Sequence, residues 1–292
     1  MPDLLRRRLL LSAAAAGLLP TLPGAHVQGG PPIAVCLGSG GVHGRAHVGV
    51  IRAFQRLGLQ PDIITGTSVG AIAGVLWAAG YAAQAIETIA DDPNWKESSG
   101  LRLPVLGLGK LDGLRELITR RTGGLPIEAL ATRFAALATD LDSGQPVILD
   151  RGPAGPAVAA SCSVPLRYEP VTINDRRLVD GALSAPVPVD AARQLGAGFT
   201  IAIDVAYRPD DEPIRGIGDV AFQMFHIMVN RLIAEQIVRA DFAIRLDAHE
   251  IMSGGAGLSA LVGAGDEAVS SHWPALQSAL QRAGIDRDIP TR

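Results

Sequence analysis

Cysteine is scarce: the 292 residues hold only Cys36 and Cys162. They stand far apart and in no ligand spacing, which leaves no cysteine metal centre. Cys36 lies in an apolar run, so two buried free thiols are expected rather than a disulfide. Charge is scarce too, at 19% with a formal net of −3. No basic cluster interleaves with aromatic residues, which argues against a nucleic-acid surface. There is no acidic loop of the calcium-binding kind and no internal repeat. Apolar residues are plentiful at 48%. The chain is therefore globular, long enough for a sizeable core in one large domain or two small ones.

The first residues differ from the rest. Arg6, Arg7 and Arg8 precede an apolar stretch from Leu9 to Leu19, broken by Pro20. A basic region followed by an apolar run of this length reads as an export signal, and it is too short for a membrane span. Consecutive arginines suit the twin-arginine route. The expectation is export to the periplasm or medium, with residues 1–25 as the signal; an uncleaved, membrane-anchored N-terminus is the alternative. A cut after Ala25 would leave Pro23 at −3, so the cleavage site stays open.

From Pro32 onward the pattern alternates. Ile33–Leu37 is a continuous β-branched run, as in a buried strand. A glycine-rich turn and a helix through Val48–Leu57 follow, then a short strand at Ile63–Thr65 and a helix from Ser68 to Ala79 closed by Gly80. This repetition indicates right-handed βαβ units and a parallel sheet. Helices are expected over 111–124 and 126–134, the second with Pro126 in its first turn. Two strands around an Asp-Ser-Gly turn are expected over 134–149, and a short helix over 157–165. A hairpin over 171–182 leads to Asp180-Gly181, followed by a helix ahead of a buried strand over 199–206. Residues 207–218 read as a loop or a boundary, then come an amphipathic helix over 219–239, a strand at "ADFAIRLDA" and a terminal helix. The organisation expected is a core over 33–206 and a helix–strand–helix extension of the same domain over 207–292.

Three places carry chemistry. "GTSVG" sets Ser68 between Gly66 and Gly70, the spacing of a strained strand-to-helix turn that projects a nucleophilic hydroxyl. A glycine-rich turn with a serine N-cap would carry the same letters. Upstream, "GSGGVHG" runs from Gly38 through Ser39, Gly40, Gly41, Val42 and His43 to Gly44. Backbone N–H groups in such a turn make an anion nest at a helix start. That anion is either a nucleotide phosphate, as in dinucleotide-binding loops, or the oxyanion of acyl transfer. The nucleotide reading needs an acidic residue at the end of the next strand, where this chain has Gly66-Thr67-Ser68. Asp180, followed by Gly181, ends an apolar strand segment, where a carboxylate is poised in a crevice. A nest, an elbow and a strand-end carboxylate are the parts acyl transfer requires.

The segments "GSGGVHGRAHVGVIRA", "GTSVGAIAG", "ALATDLDSGQPVIL", "AVAASCSVPLRYEPV" and "LVDGALSAPVPVDAARQLGA" together resemble the patatin-like phospholipases, especially the bacterial ones, over about 33–206. The resemblance implies a three-layer α/β/α fold with a mainly parallel sheet. It implies a Ser–Asp dyad without histidine, in which Ser68 is the nucleophile and Asp180 the base. The amides of Gly40, Gly41 and Val42 would form the oxyanion hole. The substrates would be acyl esters of lipids, with no cofactor and no metal. Where the family loop has Arg or Lys this chain has His43, which is expected to weaken catalysis or make it acid-favoured, with Arg45 as an alternative source of charge. The competing readings are a non-catalytic lipid-binding member of the fold and a Ser-Asp-His esterase using His226, His249 or His272. The segment 101–109 is either a loop packed on the core or a lid touching a membrane surface; oligomeric state stays open.

Overall fold

In a computed structural model the described residues are 30–91, 109–206, 214–247 and 257–286. The export segment, most of the 101–109 segment, residues 207–213 and His249 lie outside them.

Five parallel strands form the centre of an eight-stranded sheet. In the order of pairing they are β3 (Arg133–Asp140), β2 (Ile63–Thr67), β1 (Ile33–Leu37), β7 (Phe199–Asp204) and β8 (Phe242–Arg245). Next to β3 the sheet turns antiparallel, with β6 (Arg176–Asp180) and then β5 (Val171–Ile173), while β4 (Pro146–Leu149) also pairs with β3. Strands of a parallel centre are covered on both faces, so they read as unbroken apolar runs rather than alternating ones. The strand "IAVCL" is buried at every position.

Its side chains divide between two layers. Ile33, Val35 and Leu37 join the core formed with α1 (Ala46–Arg56), α2 (Val69–Ala78) and α8 (Leu258–Arg282). Ala34 and Cys36 face the other side, where α6 (Val189–Gln194) and α7 (Ile217–Ile237) pack. The architecture is therefore α/β/α in three layers, as expected. The remaining helices are α3 (Ala83–Asp91), α4 (Asp112–Arg121) and α5 (Ala154–Ser161). Beyond residue 207, β8 extends the sheet beside β7 and α8 lies on α1. The α1–α8 approach is close enough that a Cβ on Gly49 would stand 1.9 Å from the Val262 carbonyl oxygen.

One expectation is corrected. The segment 126–134 is not a helix: only Ile127–Ala129 make a short 3-10 turn, and β3 begins at Arg133. Phe134 is buried from the strand, paired in register with Ile64 of β2. Pairing with β2 outweighs the local helical spacing. Both cysteines are free and buried, as the sequence implied. The hairpin over 171–182 is present, its turn made by Asn174 and Asp175 at φ 50° and 61°, the left-handed pair that suits a two-residue hairpin loop.

Candidate active site

At the end of β2 the chain turns sharply into α2, and Ser68 occupies the turn at φ 56°. A non-glycine residue held there is under strain, a condition found at sites where the surroundings over-determine the backbone. The flanking glycines are required by contact. A Cβ on Gly66 would lie 2.4 Å from the Gly70 carbonyl oxygen, and one on Gly70 would lie 2.2 Å from that of Leu37. Any side chain at either position would push α2 away from the ends of β1 and β2.

The elbow is held from a third direction. The Ser68 N–H donates to Ser161 Oγ at 2.8 Å, and the Ser161 hydroxyl donates to the Leu137 carbonyl at 2.6 Å. Ser161 is wholly buried at the end of α5. Sequence reasoning missed it, because nothing in its local pattern marks it as anything but a small helical residue.

Asp180 arrives along β3. Residues 133–137 of that strand pair with β2, and the next stretch, 138–140, pairs with β6, placing Asp180 opposite Ala138 just past the end of β2. Gly181 allows this: its Cβ would stand 2.2 Å from the Leu137 carbonyl oxygen. Ser68 Oγ donates to Asp180 Oδ2 at 2.7 Å. The Ala182 N–H donates to Oδ1 at 2.8 Å. Burial pushes the Asp180 carboxyl up to about 7, against the opposing pull of the hydrogen bonds from Ala182 and Ser68. A carboxylate raised to that value exchanges protons readily near neutral pH, which suits a general base. The Cys162 thiol lies against the same pair. Burial pushes its pKa well up, the Asp180 charge adds to this, and the Ser68 hydroxyl opposes it.

The glycine loop completes the cluster. It packs on the first turn of α2: a Cβ on Gly44 would meet the Val69 side chain at 2.1 Å. The amides of Gly38, Ser39 and His43 donate to the carbonyls of Ile203, Pro186 and Gly40. Those of Gly40, Gly41 and Val42 make no backbone hydrogen bond among the described residues, being the leading donors of the short 3-10 helix Gly41–Arg45. Beneath the loop, His47 Nε2 bonds the Gly38 carbonyl at 2.8 Å, and burial lowers the His47 pKa to about 4. His47 is therefore neutral and donates, fixing the loop without adding charge. His43 is buried, and Arg45 pairs with Asp91 at the end of α3.

The structure thus brings the elbow, the carboxylate and the loop to one place. Of the histidines a triad could use, the two that are described make other contacts: His226 packs against the rings of Phe222 and Phe225, and His272 Nδ1 bonds the Ala268 carbonyl within α8. Among the described residues no group of three metal-ligating side chains occurs, and no helix is long and apolar enough to cross a membrane.

Comparison with known proteins identifies the family. The model of the Patatin family, described as patatin-like phospholipase, matches residues 35–193. An uncharacterized NTE family protein of Mycobacterium tuberculosis is 33% identical over 184 residues, which is 60% of this chain and 49% of that protein. Lysophospholipase NTE1 of Meyerozyma guilliermondii is 28% identical over 213 residues, 71% of this chain and 15% of its own length. The chain thus spans half or less of the length of these relatives. Among solved structures, the ExoU–SpcU complex of Pseudomonas aeruginosa aligns with a TM-score of 0.47 at 16% identity, over 86% of this chain and 52% of that one. With the family model covering more than half of its residues, the chain belongs to the patatin-like phospholipases, a family of ester-hydrolysing enzymes.

Proposed function

We propose that this chain is a serine acyl hydrolase that cleaves lipid acyl esters, of the phospholipid or lysophospholipid kind, through a Ser68–Asp180 dyad. One observation carries the reading: the 2.7 Å hydrogen bond from a hydroxyl on a strained elbow to a buried carboxylate. Asp180 accepts the proton as Ser68 Oγ attacks the ester carbonyl carbon. The carbonyl oxygen becomes an anion, received by the amides of Gly40, Gly41 and Val42. Collapse expels the alcohol, which takes the proton back from Asp180 and leaves the acyl group on Ser68. Water, giving its proton to Asp180, then attacks the acyl carbon, and the fatty acid departs as Ser68 is reprotonated. No cofactor enters these steps. The basic residues ahead of Leu9 support export as the setting of this activity, and detection of the processed protein outside the cytoplasm tests that part.

The test is labelling by a fluorophosphonate with mass mapping of the modified residue, in wild type, Ser68→Ala and Asp180→Asn. The expected result is modification of Ser68 in wild type, none there in Ser68→Ala and much slower reaction in Asp180→Asn. A folded wild type that leaves Ser68 unmodified overturns the dyad and favours a lipid-binding member of the fold.

A further inference from the structure

The helix α7 changes character along its length. From Val229 onward one side is packed, with Val229, Ile233 and Ile237 buried against the sheet. Before Val229 none of its residues is fully buried, yet the segment is strongly apolar. Between Ile217 and Asn230 the only carboxylate or cation is Asp219, and that carboxylate is occupied by the N–H groups of Arg215 and Gly216. At about 100° per residue, Ile217, Met224, Ile227 and Met228 fall on one stripe, opposite the packed one. They are 87%, 58%, 46% and 54% exposed. The inner side of the same segment is apolar as well, since Phe222 carries the Arg167 guanidinium 4.4 Å above its ring and touches Phe225 and His226. A helix apolar on both sides is ordinarily covered by core or by lipid.

The surroundings identify the cover. Arg167 belongs to the loop that leaves Cys162, and its neighbour Leu166 is 70% exposed at φ 68°. The carbonyl of Ser163, in the same loop, accepts the Asp180 N–H. Val42, in the glycine loop, is 58% exposed. Apolar side chains therefore project from two of the site's own loops, and α7 is joined to one of them by the Arg167–Phe222 stack. A second copy seated over these loops would stand in front of the site, whereas a lipid layer there would supply the substrate. The exposed charges on and just before α7 and on the Arg167 loop are of both signs, Arg167, Arg215 and Arg231 beside Glu169, Asp219 and Glu235, so apolar contact rather than charge would carry the docking.

We infer that the first half of α7, with Leu166 and Val42, is a docking face for the surface of a phospholipid bilayer, which presents acyl esters to the site. The inference rests on the proposed hydrolase reading for its purpose, but its test does not. The full chain is sedimented with mixed phosphatidylcholine–phosphatidylglycerol vesicles, as wild type, as the triple variant Met224→Ser/Ile227→Ser/Met228→Ser, and as Val238→Ser, an exposed position just past the end of α7. Circular dichroism and the thermal midpoint verify that each variant is folded. Partitioning of the triple variant is expected to fall about tenfold or more, and hydrolysis of vesicle phospholipid with it. Val238→Ser and the rate on a short water-soluble ester should stay within about twofold of wild type. Three results overturn the docking face: wild type that does not partition, a triple variant that partitions like wild type, or a wild-type dimer that the triple variant converts to monomer with vesicle binding unchanged. The same sedimentation in Ser68→Ala separates the two readings. Partitioning without any ester hydrolysis in wild type defeats the dyad alone, and hydrolysis of soluble ester without partitioning defeats the docking face alone.

Discussion

Two helices of this protein have nearly the same kind of sequence and opposite surroundings. "VGAIAGVLWA" in α2 and "IGDVAFQMFHIM" at the start of α7 are both predominantly apolar. In α2 every residue from Ala73 to Ala78 is buried, whereas the first half of α7 has no fully buried residue. The difference lies in what each is attached to. Helix α2 leaves β2 through a turn whose glycines admit it against β1, so it is sealed in the core and holds Ser68 still. Helix α7 follows the strands that build the site, is pinned at its far end, and leaves its near end outward. On the proposed readings, rigidity would serve the chemistry in the first case and exposure an encounter in the second.

Breaking the chemistry of the buried region should have the largest effect. Asp180→Asn keeps the shape of the side chain but removes the base, and kcat/KM on a soluble ester should fall by about 10²–10⁴. Next in size is packing. Leu76→Ala, at a position 1% exposed, should cost about 2–5 kcal/mol in chemical denaturation. The pH dependence is smaller per step. Asp180 must be ionised to accept a proton, so kcat/KM should rise about tenfold per unit up to the region of pH 7, where its pKa lies, and then level off. His43 was expected to favour acid, so the two effects have opposite signs, and a profile falling toward high pH would show that His43 governs. The same shift acts on stability. A carboxyl raised in the folded state favours folding when protonated, and that contribution is lost as pH rises through about 7. Asp180→Asn should therefore gain thermal stability relative to wild type progressively from about pH 4 to about pH 7 and keep that gain above it. The smallest effect is expected on the exposed stripe. Ile217→Ala should change stability by no more than about 0.5 kcal/mol. A cost similar to that of Leu76→Ala would mean that this face is covered in the free protein and would remove the contrast between the helices.

Much of the site was legible because its signals are local. A β-branched run, a glycine loop, an amphipathic helix and a Gly-x-Ser-x-Gly turn follow one another within about forty residues, each carried by backbone preference or short-range period. Asp180 was legible as a strand end beside glycine. What was not legible depends on distant partners. Residues 126–134 carry helical spacing, but pairing with β2 makes Arg133 and Phe134 strand. Ser161 and His47 look like ordinary helical residues until Ser68 and Gly38 are placed beside them.

The sequence by itself determined the strand–helix alternation from β1 to α2, the sharp turn at Ser68 and the chemical types available for acyl transfer, because these follow from local torsional preference and side-chain chemistry. Only the tertiary structure decided that β3 receives β2 and β6 in succession, which sets Ser68 against Asp180. Burial there, rather than any neighbouring charge, lifts that carboxyl to about 7. It also decided which of two apolar helices is core and which is surface, since burial is a property of what surrounds a residue, and composition is blind to it.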